Sequence, residues 1–351
     1  MTNGPAAESE WPAGGLEAVA ACPVCGSAER GPFYDGLRDR AFRTAPGTWA
    51  LVRCSSCRSA YLDPRPSPET IELAYRTYYT HGSVGPPPVG RLRRGLANDY
   101  LRARWGYEQK PTVPGGRLIP KVAPSRGALV DREVRHLPAI PGGRLLDVGC
   151  GSGAFLAQMA ELGWRPQGID PDPAAVVGAR EAGLDVSQGT LADVDTEEHG
   201  GEFDAITLSH VIEHLHDPAA DLRRIERLLR PGGLLWIATP NLEALGLRRF
   251  GRDWLGLDPP RHLVLFTRAS LDRLLRDTGL EPLPPPAASP HALQMFSQST
   301  AIEQGRLPAE GPVKGTGRLR ALAAVANLVS LRNSRHAEEL VVLARRSGSG
   351  A

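Results

Sequence analysis

From residue 144 onward the chain alternates two hydrophobic periods. Short apolar runs of strand length alternate with stretches whose apolar positions recur every three or four residues. Leu145–Val148, Pro166–Asp170, Leu184–Val186, Phe203–Leu208 and Leu234–Ala238 are expected strands. Ala154–Leu162 is an expected helix, with Phe155, Leu156, Met159 and Leu162 on one side and Gly163 as its stop. Pro173–Glu181 is another, with proline in its first turn. In Ala219–Arg230, Leu222, Ile225, Leu228 and Leu229 point inward, and Pro231-Gly232-Gly233 ends the helix. Thr267 caps a helix over Ser270–Thr278, a broken sixth strand follows within Glu281–Ser289, and Glu338–Ala344 reads as a final strand. The fold class is therefore α/β: a doubly wound, mostly parallel seven-stranded sheet covered on both faces. Leu319–Leu331 is a largely apolar helix, which suits a core helix or a homodimer contact.

The first third of the chain lacks this alternation. Residues 1–20 read as a polar, disordered lead. Cys22-Pro-Val-Cys25 and Cys54-Ser-Ser-Cys57 follow, with 28 residues between the pairs and short strands expected at Phe33–Asp35 and Trp49–Cys54. In a reducing compartment, paired C-x-x-C motifs indicate a metal before a disulfide. Four thiolates close a tetrahedral Zn²⁺ site to water, so the metal is structural. These features define a small zinc ribbon over 21–68.

Residues 69–126 form a helical, basic connecting segment. Glu69–Tyr79 has helical spacing; its Tyr75, Tyr78 and Tyr79 suit either interdomain packing or a lid. Residues 84–126 carry nine Lys/Arg against Asp99 and Glu108, with a short helix expected over Leu96–Trp105. That charge serves a solvated connection or a phosphate contact. The main domain spans 127–351, opens with a helix over Gly127–Leu137, and includes a long loop, 241–263, expected over the substrate.

Composition narrows the classes little further. A net charge of +2 gives no global case for nucleic acid or membrane binding. No apolar run reaches the roughly 18–20 residues of a bilayer span. Met1–Glu10 is polar and acidic, unlike a signal peptide, so a cytoplasmic location is expected.

The chemistry centres on Asp147-Val148-Gly149-Cys150-Gly151-Ser152-Gly153, a strand–turn–helix junction that brings backbone N–H groups to a ligand. Gly149, Gly151 and Ala154 fit the dinucleotide pattern, and Asp170 lies 19 residues after Gly151. Three features turn the reading away from a nicotinamide cofactor. Asp147 precedes the turn, where a carboxylate suits a cationic ligand. Gly153 makes the pattern G-x-G-x-G. Arg230-Pro231-Gly232-Gly233 precedes the fifth strand. Together with Gly168-Ile169-Asp170, Phe203-Asp204, Glu213-His214-Leu215 and Pro259-Pro260-Arg261-His262-Leu263, this resembles the class I S-adenosylmethionine-dependent methyltransferases. A four-cysteine ribbon ahead of such a domain also resembles bacterial methyltransferases acting on sugars and other small metabolites.

The resemblance implies roles. Gly149, Cys150, Gly151 and Gly153 would pass the methionine and ribose of S-adenosyl-L-methionine. Asp147 would lie near its ammonium, Asp170 would accept both ribose hydroxyls, and Thr190 and Leu191 would line the adenine. Ser209 and His210, at the carboxyl end of the fourth strand, would flank the sulfonium. His210, Glu213 and His214 share a helical face. A histidine there could act as general base, or the three could hold a divalent metal, as in the similar E-x-x-E-H site of ubiquinone-pathway O-methyltransferases. Glu213 and His214 could equally be structural. His262, at the end of the acceptor loop, is a third candidate base. The expected reaction is methyl transfer to oxygen or carbon of a small molecule, a sugar or secondary metabolite. Two alternatives stay open: an RNA methyltransferase that uses the ribbon and basic segment, and a non-catalytic protein that keeps the cofactor fold.

Overall fold

The computed structural model describes residues 10–76, 90–288, 290–311, 313 and 317–348. The N-terminal region holds β1 (Leu16–Glu17), β2 (Arg30–Leu37), β3 (Trp49–Cys54), β4 (Ala60–Leu62) and β5 (Arg65–Pro66). Helices α1 (Arg91–Trp105), α2 (Ile119–Val122) and α3 (Pro124–Glu133) lead to the main domain. There β6 (Arg144–Val148), α4 (Ala154–Glu161), β7 (Arg165–Asp170), α5 (Pro173–Glu181), β8 (Val186–Gln188), β9 (Phe203–Ser209), α6 (Pro218–Leu228) and β10 (Leu229–Pro240) follow the expected alternation. The remainder is α7 (Leu245–Phe250), β11 (Val264–Leu265), α8 (Arg268–Asp277), β12 (Leu280–Pro282), α9 (Ala292–Glu303), α10 (Gly317–Arg332) and β13 (Glu339–Arg346).

The main sheet has seven strands in the order β12-β13-β10-β9-β6-β7-β8. Pairing is parallel from β10 through β8, whereas β13 runs antiparallel to both β10 and β12. The chain winds outward from β6 to β8, then returns to place β9 on the other side of β6. That reversal opens a crevice at the carboxyl ends of β6 and β9, where open α/β sheets bind ligands. The central strands are buried on both faces: Leu145, Ala205, Ile206, Leu208 and Ile237 show no exposure. On α6, Leu222, Ile225 and Leu228 are fully buried. Each such side chain contributes roughly 1.5–3 kcal/mol.

Several expectations need correction. The lead ends before residue 20. Trp11 is buried edge-on against Trp49, and β1 pairs with β5, because an indole and a strand edge both gain from the ribbon's apolar side. The earlier part of that lead, 1–9, lies outside the described residues, as do Tyr78 and Tyr79. Ahead of them only a short 3₁₀ turn, Ile71–Tyr75, replaces the helix expected over Glu69–Tyr79. The fifth strand begins five residues early, since Pro231-Gly232-Gly233 forms an irregularity within β10. Helices α7 and α9 escape the periodicity. α7 is only six residues long, and α9 buries Ser297 and Ser299 among its apolar positions.

The ribbon is also not a separate body. Its four-stranded sheet runs β11-β4-β3-β2, and β11 belongs to the end of the 241–263 loop region. Val264 pairs with Tyr61, Leu265 with Ala60, and Leu62 N–H donates to Leu263 O. The basic segment packs too: Tyr100, Leu101 and Tyr107 are buried, and Tyr107 O–H donates to Leu137 O. α10 leaves Leu322, Val325 and Leu328 exposed. No helix among the described residues is long and apolar enough to cross a membrane.

Candidate active site and zinc centre

The four ribbon cysteines converge. Cys22 Sγ lies 3.6 Å from Cys57 Sγ and Cys25 Sγ 3.6 Å from Cys54 Sγ, and one sulfur from each fits within 4.8 Å of all the others. A tetrahedron with Zn–S bonds of about 2.3 Å has an edge of about 3.8 Å. All four thiols are free of disulfides. Gly26 and Arg58, each just past its C-x-x-C, adopt positive φ, and their N–H groups donate to Cys22 O and Cys54 O. The two knuckles thus share one turn geometry, and the donor set fits structural Zn²⁺.

The glycine turn leaves β6 at the crevice. Gly149 has φ 67°, and a Cβ there would sit 2.6 Å from Val211 Cγ2. Gly151 has φ 54°, and a Cβ there would meet nothing within 4 Å. One glycine closes against the β9 turn while the other borders open space. The Asp170 carboxylate reaches the same turn from β7, accepting Gly151 N–H at 2.7 Å and Asp172 N–H at 2.9 Å. Burial raises its pKa above the usual carboxylate value. Each oxygen keeps a further lone pair for a hydroxyl. Cys150 packs beneath Gly168 and burial pushes its thiol up to about 12, which makes it inert filler. Thr190 caps the turn that follows β8, and Leu191 beside it is buried.

Asp147, expected near the cofactor's ammonium, is 1% exposed, accepts Thr207 O–H at 2.8 Å, and is paired with Arg135. Arg135 stacks 3.6 Å over Phe155. The carboxylate is neutralised under the turn by a cation from the segment that precedes β6.

Beyond Ser209, His210 adopts φ 56° and sits between two carboxylates. Its Nδ1 is 3.3 Å from Glu213 Oε1 and its Nε2 is 2.8 Å from Glu339 Oε1. Desolvation opposes its charge, but Glu213 and Glu339 outweigh this and raise its pKa to about 10. An imidazole that holds its proton so firmly cannot accept another. Glu339 also takes Arg132 and lies 3.5 Å from His291. Glu213 is fully buried and accepts Thr239 O–H at 2.9 Å; burial works against its charge, yet His210 holds it down at about 2.

His214 and His262 are arranged differently. Their rings meet edge-on, with centroids 4.9 Å apart. His214 Nδ1 lies 2.9 Å from Arg261 O and 2.8 Å from Tyr75 Oη, and His262 Nδ1 lies 2.9 Å from Gly256 O. A carbonyl only accepts, so each Nδ1 carries the proton and each Nε2 keeps its lone pair. Burial, then the neighbouring His262, push His214 down to about 4, so it is neutral at physiological pH. One donor atom from each of Glu213, His214 and His262 lies within 4.8 Å of the other two. The set able to hold a divalent ion is therefore Glu213, His214 and His262; His210 is engaged elsewhere. Backbone carbonyls on both Nδ1–H groups are the outer-shell arrangement that metal-ligating histidines use. The motif 210–214 gave two of these residues, and only the fold brings His262 to them.

A family model described as a methyltransferase domain matches residues 125–284. The ubiquinone biosynthesis O-methyltransferase of Xanthomonas oryzae pv. oryzae is 38% identical over 208 residues, covering 56% of this chain and 84% of that protein. The enzyme of the same name from Caulobacter vibrioides is 36% identical over 135 residues, or 36% of this chain. The chain thus spans about half the length of that relative, 54%. Among solved structures, an S-adenosylmethionine-dependent methyltransferase from Mesorhizobium loti has a TM-score of 0.41 at 20% identity, covering 62% of this chain and 98% of that one.

Proposed function

The chain belongs to the S-adenosylmethionine-dependent methyltransferases, and on that premise we propose that it methylates an oxygen of a small hydroxylated metabolite. The observation that carries this reading is the edge-on His214–His262 pair, each ring held at Nδ1 by a backbone carbonyl so that its Nε2 keeps the lone pair. An alcohol or phenol must lose its proton as its oxygen is methylated, and a positioned imidazole accepts it. The O-methyltransferase relatives favour oxygen over carbon.

S-adenosylmethionine, when bound, supplies the activated methyl group. Asp170 holds the ribose hydroxyls, and the Gly149–Gly153 backbone follows the methionine and ribose portion. The turn at Thr190 and Leu191 borders the adenine, and Ser209 lies beside the reacting end. Asp147 acts through Arg135, fixing the floor of the turn. His262 and His214 take the acceptor proton, and His210 stays protonated between Glu213 and Glu339. The ribbon cysteines hold Zn²⁺ as a structural centre. A second reading rests on the same cluster: Glu213, His214 and His262 hold a divalent ion that binds the acceptor oxygen.

The test is incubation with methyl-labelled S-adenosylmethionine, using catechol as a hydroxyl probe alongside a fractionated small-molecule extract and bulk tRNA. Label in catechol or in hydroxylated small molecules supports the proposal. Label confined to RNA overturns it. Transfer that stops with EDTA and resumes with added Mg²⁺, while ribbon zinc is retained, selects the metal reading.

A further inference from the structure

The ribbon touches the histidine pair through one buried ion cluster. The side chains of Arg261, adjacent to His262, and of Asp39 in the ribbon are 0% exposed, and that of Asp258 is 7% exposed. Arg261 Nη1 and Nη2 donate to Asp39 Oδ2 and Oδ1 at 3.0 and 2.7 Å, a bidentate fork. The same guanidinium donates to Asp258 through Nε at 2.9 Å and Nη2 at 2.6 Å, and to Ala74 O at 3.0 Å. It stacks 4.4 Å from the Phe42 ring. Asp39 in turn accepts the N–H groups of Phe42, Thr44 and Ala45, so the ribbon loop is wound around it.

Burying three charges is expensive, and well-packed apolar groups of equal volume often do as well for stability. What such a cluster supplies is a fixed geometry. The turn it fixes is strained, since Asp258 has φ 29° without being glycine. Asp258 O accepts the N–H groups of Arg261 and His262 at 3.0 and 3.1 Å. Arg261 O sets the His214 tautomer, and Gly256 O, just before the turn, sets that of His262.

We propose that Asp39 of the zinc ribbon is a positioning residue for the acceptor site: its fork to Arg261 clamps the Asp258–His262 turn and thereby fixes the tautomer and orientation of His214 and His262. The assignment of a proton-handling role to this pair is the reading given above, on which this inference rests. The ribbon is then part of the acceptor site's framework, and residues far apart in the chain act as one unit.

The experiment is long-range ¹H–¹⁵N correlation on the full chain labelled with ¹⁵N-histidine, zinc-loaded, with signals assigned by His214→Gln and His262→Gln. In the native protein both rings are expected as Nδ1–H tautomers, as their carbonyl partners require. In Asp39→Asn, the His214 and His262 signals should shift toward a tautomer mixture. Zinc content and S-adenosylmethionine affinity should stay within about twofold, because neither the cysteines nor Asp170 is touched. Arg261→Lys, which keeps a charge but loses the fork, should move the same signals and serves if Asp39→Asn does not fold. Unchanged tautomers in either folded variant overturn the proposal. The readout does not depend on turnover, so full activity of His214→Ala and His262→Ala would reject the functional reading and leave the positioning result standing.

Discussion

The two sides of the crevice are built by different means. The proposed cofactor side comes from one contiguous unit, β6, the glycine turn and α4, with a single carboxylate from the next strand. The groups proposed to face the ligand are largely backbone, and their placement follows from three positive-φ glycines. The proposed acceptor side is assembled from distant parts: the turn after β9, the loop ending at His262, the first residue of β13, and the ribbon. Its groups are side chains, set by ion pairs and by hydrogen bonds to carbonyls. A backbone site needs only the right φ values. A side-chain site needs partners that fix each ring, and here His214 is held by Arg261 O within the turn that Asp39 and Arg261 brace, and His262 by Gly256 O just before it.

This division can be broken experimentally. The largest effect is expected on the acceptor side. His262→Ala and His214→Ala should each lower kcat by about 10²–10⁴-fold, the usual contribution of a positioned base. S-adenosylmethionine affinity, measured by calorimetry, should change less than about twofold, since neither ring belongs to the cofactor turn. Loss of cofactor binding in either variant would show that the two sides are not separable.

The reciprocal substitution is Asp170→Ala. Removing a buried acceptor that bridges two hydroxyls costs about 1–3 kcal/mol, or roughly 5–150-fold in cofactor affinity. The His214 and His262 ring signals should not move. Unchanged affinity would mean that Asp170 only braces Gly151 and Asp172, whose N–H groups it already accepts.

What the sequence made legible follows the same line. Alternating periods brought out the strands of the main sheet, although the third, expected at Leu184–Val186, runs Val186–Gln188 and the sixth, expected within Glu281–Ser289, runs Leu280–Pro282; the glycine turn, Asp170 and the four cysteines stood out because their chemistry depends on local spacing. Arg135, which pairs with Asp147, was not legible because it sits on the preceding segment with nothing local to mark it. His210 stood out by motif but is locked by Glu339, which arrives from the far end of the chain through antiparallel pairing beside β10. Arg261 was visible inside Pro259-Pro260-Arg261-His262-Leu263, yet its partner Asp39 lies 222 residues away. No window of local periodicity contains that pair.

The smallest effect on turnover is expected at Glu338, which tests how firmly the acceptor loop is held. Glu338 is 4% exposed and accepts Gly246 N–H at 2.7 Å and Trp254 Nε1–H at 3.0 Å, pinning α7 and the following loop to the start of β13. Burial raises its pKa to about 7, more than the two donors lower it. Its unfolded value is about 4.3. The folded state therefore binds the extra proton between these two values. The corresponding stability is fully present below about pH 4.3 and is lost as pH rises toward 7, with a linked change on the order of 3–4 kcal/mol. Glu338→Gln does not titrate. It should be less stable at low pH, having one acceptor fewer, but the native protein's advantage should shrink between pH 4.5 and 7.5. Urea unfolding at both pH values measures this. A native-minus-variant difference that stays flat with pH would mean that Glu338 keeps its charge at the loop anchor, stabilised by the two donors it accepts.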